Sequence, residues 1–134
     1  AYCQDGPTSW LDWSKGDDDL LAFVKDALAL VGRLPVLRQA KHLHKAREVT
    51  WWRTDALQMC ASDWENEGLC ALVLHLASVT GDDPPVAIAL NIGDSDAGLQ
   101  LPPGDWQLSL SSAGEGNVEV LPRRAIMLFE GLLA

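Results

Sequence analysis

The sequence predicts a mainly β protein, an antiparallel β-sandwich preceded by one amphipathic helix. Three observations carry that prediction. Val86, Ile88, Leu90 and Ile92 alternate with Ala87, Ala89 and Asn91, the period of an extended strand. Trp106, Leu108 and Leu110 alternate with Gln107 and Ser109 just after Pro102, Pro103, Gly104 and Asp105, a tetrapeptide whose prolines fix φ and whose glycine accepts a positive φ. Residues 17–34 have the apolar spacing of a helix. The stretch from Pro85 to Leu110, with Leu99 and Leu101 before the turn, reads as strand, turn, strand: a meander with one wet and one dry face, the dry face needing a second layer.

The elements follow in chain order. Ala1 to Gly16 is too short and too broken by Asp5, Gly6 and Pro7 to form an element by itself. In Asp17 to Leu34, Asp17, Asp18 and Asp19 offer a side-chain cap and place negative charge at the positive end of the helix dipole. Leu20, Val24, Ala27, Val31 and Leu34 make an apolar stripe, widened by Leu21, Phe23, Leu28 and Leu30, so the helix needs cover on more than one side. It ends before Pro35, because the residue preceding proline is pushed out of the α region. Val36 to Ala46 is a basic connector. Val49 to Trp52 then reads as a strand, and Gly68 to Val79 as an inner strand with small or apolar residues on both faces. Gly114, Glu115 and Gly116 form a turn, and Val118 to Leu121 and Ala125 to Phe129 complete the sheet.

Composition excludes some functions. A chain of 134 residues is one core by size, and ten basic against nineteen acidic side chains leave a net charge of −9. That charge repels phosphate backbones and anionic membrane surfaces, so neither nucleic acid nor membrane is expected as a partner. The longest nearly apolar run, Leu69 to Val79, is interrupted by His75 and falls short of the roughly 20 residues of a spanning helix. Cys3, Cys60 and Cys70 lack metal-ligand spacing and are odd in number, which reads as free thiols in a reducing, cytoplasmic setting.

Candidate sites are few. Six tryptophans, Trp10, Trp13, Trp51, Trp52, Trp64 and Trp106, suit either packing or stacking on the C–H face of a sugar, and packing is the commoner use of each single ring. His42 and His44 have no cysteine or carboxylate at metal-site spacing, so a solvated connector is expected and no metal or cofactor is implied. Asp63, Glu65 and Glu67 alternate with Trp64, Asn66 and Gly68 and read as an acidic loop. No Gly-rich phosphate loop and no G-x-S-x-G elbow is present in the sequence.

The strings AYCQD at Ala1 to Asp5 and SWLDW at Ser9 to Trp13 resemble a signature of bacterial glycogen debranching enzymes, the isoamylase-type branch of the α-amylase superfamily, glycoside hydrolase family 13. The resemblance extends over Asp18 to Arg38, Val49 to Trp51, Met59 to Trp64 and the segment ALNIGDSDAGLQLPPGDWQLSL. It implies that residues 1–46 are a remnant of the last βα loop and helix of a (β/α)₈ barrel with a connector, and that residues 47–134 are the appended C-terminal β-sandwich. The family's catalytic carboxylates sit after earlier strands, at positions this chain does not contain. Retaining hydrolysis needs two carboxyls about 5 to 5.5 Å apart, so the resemblance implies a non-catalytic accessory piece, with the catalytic barrel as partner and an α-glucan as substrate.

Within the loop, Tyr2, Gln4 and Asp5 are the expected cleft-rim contacts with glucan, and no residue is assigned a catalytic role. The family continues YCQD with Asn-Glu, whereas Gly6, Pro7 and Thr8 follow here and change the backbone freedom past Asp5. Without a barrel against it, the helix is expected either to fold onto its own sandwich or to pair with a second copy. An autonomous glucan-binding module using Trp51, Trp52 or Trp64 is the alternative reading.

Overall fold

The structure is a computed structural model that describes residues 3, 5–38, 49–78, 81–114 and 116–132. The helix, α1 (Asp18–Arg33), starts where the aspartates require: Asp17 caps it, its side chain accepting from the Leu20 N–H at 2.9 Å. It stops at Leu34, and a 3₁₀ turn over Pro35–Arg38 follows. The remaining elements are β1 (Val49–Trp52), a short helix α2 (Ala61–Trp64), β2 (Ala71–Leu76), β3 (Val86–Asn91), β4 (Ala97–Gly98), β5 (Trp106–Ser111), β6 (Val120–Leu121) and β7 (Ala125–Gly131).

Five strands form one antiparallel sheet in the order β1-β2-β3-β7-β5, and β4 and β6 form a separate two-stranded ribbon. The architecture is thus mainly antiparallel β with one N-terminal helix, consistent with a β-sandwich. The expected local meander is not what forms. β3 and β5 do not pair; β7 lies between them, with Ala87 opposite Phe129 and Leu108 opposite Phe129 on its other side. The PPGD turn is nevertheless real: Gly104 has φ +141°, and the Trp106 indole N–H closes the loop onto the Pro102 carbonyl at 2.8 Å. That turn carries the chain from the ribbon to the far edge of the sheet, a non-local pairing that strand periodicity does not encode.

The expectation of one wet and one dry face is also corrected, because both faces carry a buried core, the second over only part of its length. On one side Val73, Ala87, Ala89, Met127 and Phe129 pack under Leu99 and Leu121 from the ribbon region. Here the small residues of β3 are the buried ones: Ala87 and Ala89 are fully enclosed, and small side chains let the ribbon come close. Asn91 lies there too, buried but satisfied. Its amide donates to the Ser95 and Leu121 carbonyls at 2.9 and 3.2 Å, and its oxygen accepts from Gly93 N–H at 2.9 Å.

On the other side Leu76, Val86 and Leu128 pack against Leu30, Leu34 and Val36. Arg33 at the end of α1 makes a two-pronged ion pair with Glu130 of β7, at 2.5 and 2.6 Å, and Ser109 donates to the same carboxylate. The inward stripe of α1 is Phe23, Ala27, Leu30 and Leu34, so only part of the expected stripe turns inward. Leu20, Leu21, Val24, Leu28 and Val31 are exposed, Leu28 at 66 %. The helix therefore has folded onto the sheet through its C-terminal half while keeping an apolar outer side.

Candidate functional site

The first expected site is the N-terminal loop. Tyr2 and Gln4 lie outside the described residues. Asp5 is exposed and accepts from the Trp10 indole N–H, while Ser9 N–H and Trp10 N–H both reach the Gly6 carbonyl at 2.9 and 3.1 Å. The Gly6-Pro7 sequence thus makes a local turn in which Asp5 is engaged by its own loop. His42 and His44 also lie outside the described residues, and among the described residues no group of His, Cys, Asp and Glu could hold a metal ion.

The acidic segment resolves into a structural role for one member. Asp63 accepts from Cys60 N–H at 2.8 Å and from the Cys60 thiol at 3.2 Å, which fixes the start of α2. The Cys60 backbone bond, then the thiol bond, hold the Asp63 carboxyl below the usual range, with the Arg53 charge adding to this. Glu130 is likewise held down, chiefly by Arg33, and Asp12 by the Ser14 hydroxyl. A general acid for glycoside hydrolysis needs the opposite shift.

The tryptophans divide into two groups. Trp52 and Trp106 belong to the core: the Trp52 indole donates to the Thr50 hydroxyl at 2.8 Å, that hydroxyl lies 3.1 Å from His75 Nδ1, and the His75 ring meets Trp106 edge-on at 5.7 Å. Burial lowers the His75 pKa. Trp51 and Trp64 are instead surface residues, 37 % and 51 % exposed, packed edge to face with centroids 5.3 Å apart at 83°. The strand alternation explains the split, since Trp51 and Trp52 point to opposite sides of β1.

Arg53 stands beside this exposed pair, a residue the sequence reading did not single out. Residues 53–57 turn tightly, with Arg53 N–H on the Leu57 carbonyl and Ala56 at φ +60°, and Met59 N–H bonds the Trp51 carbonyl at 2.8 Å. The turn folds the Arg53 guanidinium onto Asp55 at 2.5 Å and toward Asp63 at 3.6 Å. The available signal was the two-residue spacing from Trp51 to Arg53 on an extended chain. Behind the same turn, Thr54, Asp55, Gly98, Gln100 and Glu119 line an open depression of about 610 Å³.

Fold and surface together define an antiparallel β domain with a helix on one side and exposed aromatic and aliphatic corners. No family model matches the chain. It is similar to glycogen debranching enzymes of Erwinia tasmaniensis (33 % identity over 118 residues, 87 % of this chain and 17 % of that protein), Enterobacter sp. strain 638 (29 % over 136 residues, 97 % and 20 %) and Serratia proteamaculans (29 % over 123 residues, 91 % and 18 %). By sequence the chain is a relative of bacterial glycogen debranching enzymes, matched over nearly all of its own length while spanning about a fifth of theirs, consistent with a C-terminal portion.

Proposed function

We propose that this chain is the non-catalytic C-terminal accessory region of an isoamylase-type glycogen debranching enzyme of glycoside hydrolase family 13, a cytoplasmic enzyme that hydrolyses α-1,6 branches of glycogen-type glucans. The observation that carries the reading is the pattern of similarity: almost the whole chain matches, and it matches only about a fifth of each relative. In this reading residues 1–46 are the last βα loop and helix of the barrel with their connector, residues 47–134 are the appended β domain, and Tyr2, Gln4 and Asp5 belong to the glucan cleft rim. The boundary falls in residues 39–48, outside the described residues.

The outer side of α1 supports the same reading. Leu20, Leu21, Val24, Leu28 and Val31 form an exposed apolar row on one helix, more than a lone soluble domain usually presents. The helix-side face of the sheet is also open at its other end, where Leu90, Ile92, Arg124 and Ile126 line a shallow hollow. Both surfaces suit cover by the catalytic barrel. The purified chain should release no reducing ends from glycogen, and measurable debranching turnover would overturn the assignment. Sedimentation velocity over a range of concentrations distinguishes barrel docking from self-pairing, since a stable dimer of the chain would give the helix to a second copy instead.

A further inference from the structure

We propose that the corner formed by Trp51, Arg53, Asp63 and Trp64 is a surface site for a neutral α-glucan chain. The identity of the sugar rests on the functional reading above; the location rests on this corner. Trp51 is fixed before any ligand arrives, because its strand position is paired opposite Leu74 and its carbonyl is held by Met59 N–H. Trp64 is set by α2, whose start is fixed by the Cys60–Asp63 bonds. An edge-to-face pair consumes one edge and one face and leaves further ring surface free, as the exposure of both indoles shows. The C–H groups of a pyranose carry the same weak positive charge as a ring edge and suit that surface.

Sugar hydroxyls both donate and accept, and the corner offers both functions. Arg53 only donates and Asp63 only accepts, and the ion pairs with Asp55 and Asp63 orient the guanidinium in advance. Pairing Arg53 with two carboxylates also leaves the corner without the positive field that an anionic polymer would need, in a chain whose net charge is −9. The contrast with α1 favours sugar over protein as the occupant: the α1 row is aliphatic without polar partners, whereas this corner combines aromatic faces with oriented donors and acceptors.

Native affinity electrophoresis of the 134-residue chain in glycogen-containing gels tests the site, with maltoheptaose titration followed by indole fluorescence. Retardation is expected, with Trp64→Ala and Trp51→Ala each weakening affinity by roughly tenfold and Arg53→Gln by about threefold. Trp13→Ala, at an exposed ring elsewhere, should bind as the parent does. Circular dichroism establishes that each variant is folded, and Trp64, on a short exposed helix, keeps the test valid should Trp51→Ala destabilise β1. A folded chain that glycogen does not retard overturns the site. So does retardation that survives Trp64→Ala and Arg53→Gln, or that is lost only with Asp5→Asn. Debranching turnover by the chain would instead sink the accessory reading and leave the binding result standing.

Discussion

The two faces of the sheet are closed in different ways. The ribbon-side face is sealed by the chain's own residues: Leu99 and Leu121 cover Val73, Ala87, Ala89, Met127 and Phe129, and Asn91 ties ribbon to sheet with every polar atom satisfied. The helix-side face is sealed only at one end, by Leu30, Leu34 and Val36, and its cover carries a second apolar row outward. A core that is complete in itself and a core that stops halfway can therefore share one sheet. The difference separates what folds this domain from what it leaves exposed.

The comparison can be broken most severely from the ribbon side. Phe129, 2 % exposed and the largest of the fully enclosed side chains, fills the centre of β7, so Phe129→Ala should cost about 3–5 kcal/mol in chemical denaturation. Asn91→Ala strands the Ser95 and Leu121 carbonyls and the Gly93 N–H, with an expected loss of about 2 kcal/mol in the same measurement. A loss near zero for either would mean that the ribbon does not close this face.

Smaller effects are expected on the helix side. Glu130 titrates below its normal value because Arg33 and Ser109 bind its charged form. Its contribution is therefore fully present above about pH 4.5, the ordinary value, and is lost as pH falls through the lower folded value. Glu130→Gln should lower stability by roughly 1 kcal/mol at pH 7, a modest figure because Arg33 is more than half exposed, with the gap to the parent shrinking in acid. A pH-independent gap would show that the ion pair does not hold α1. The half-buried His75 works in the other chemical sense. Burial favours its neutral form, so stability should fall as pH drops below about 6.5, and His75→Gln should flatten that part of the melting-temperature profile. The smallest effect is the sharpest contrast: Leu21→Ser with Leu28→Ser, both on the outer side of α1, should change stability of the isolated chain by less than about 0.5 kcal/mol each while raising its solubility.

What was legible in the sequence was local. Asp17 as a cap, the end of α1 before Pro35, the strand character of 49–52, 71–76, 86–91 and 106–111, and the positive φ at Gly104 follow from steric and hydrogen-bonding preferences within a few residues. The kinship with debranching enzymes was legible as well, because AYCQD and SWLDW are specific strings. The candidate site was only half legible, since the tryptophans could be named but not sorted into core and surface.

Tertiary structure alone decided the rest. Nothing near β3 or β5 in the chain announces that β7 will enter between them, because a strand's edges carry the same backbone groups whichever neighbour arrives. Nor could periodicity choose between a leucine face and an alanine face of β3; that depended on the ribbon needing close approach to Ala87 and Ala89. The wide apolar surface of α1 likewise fixed that the helix would be buried somewhere. Which stripe turned inward was set by where Leu76, Val86 and Leu128 came together, a contact between residues distant in the chain and therefore invisible to any local rule.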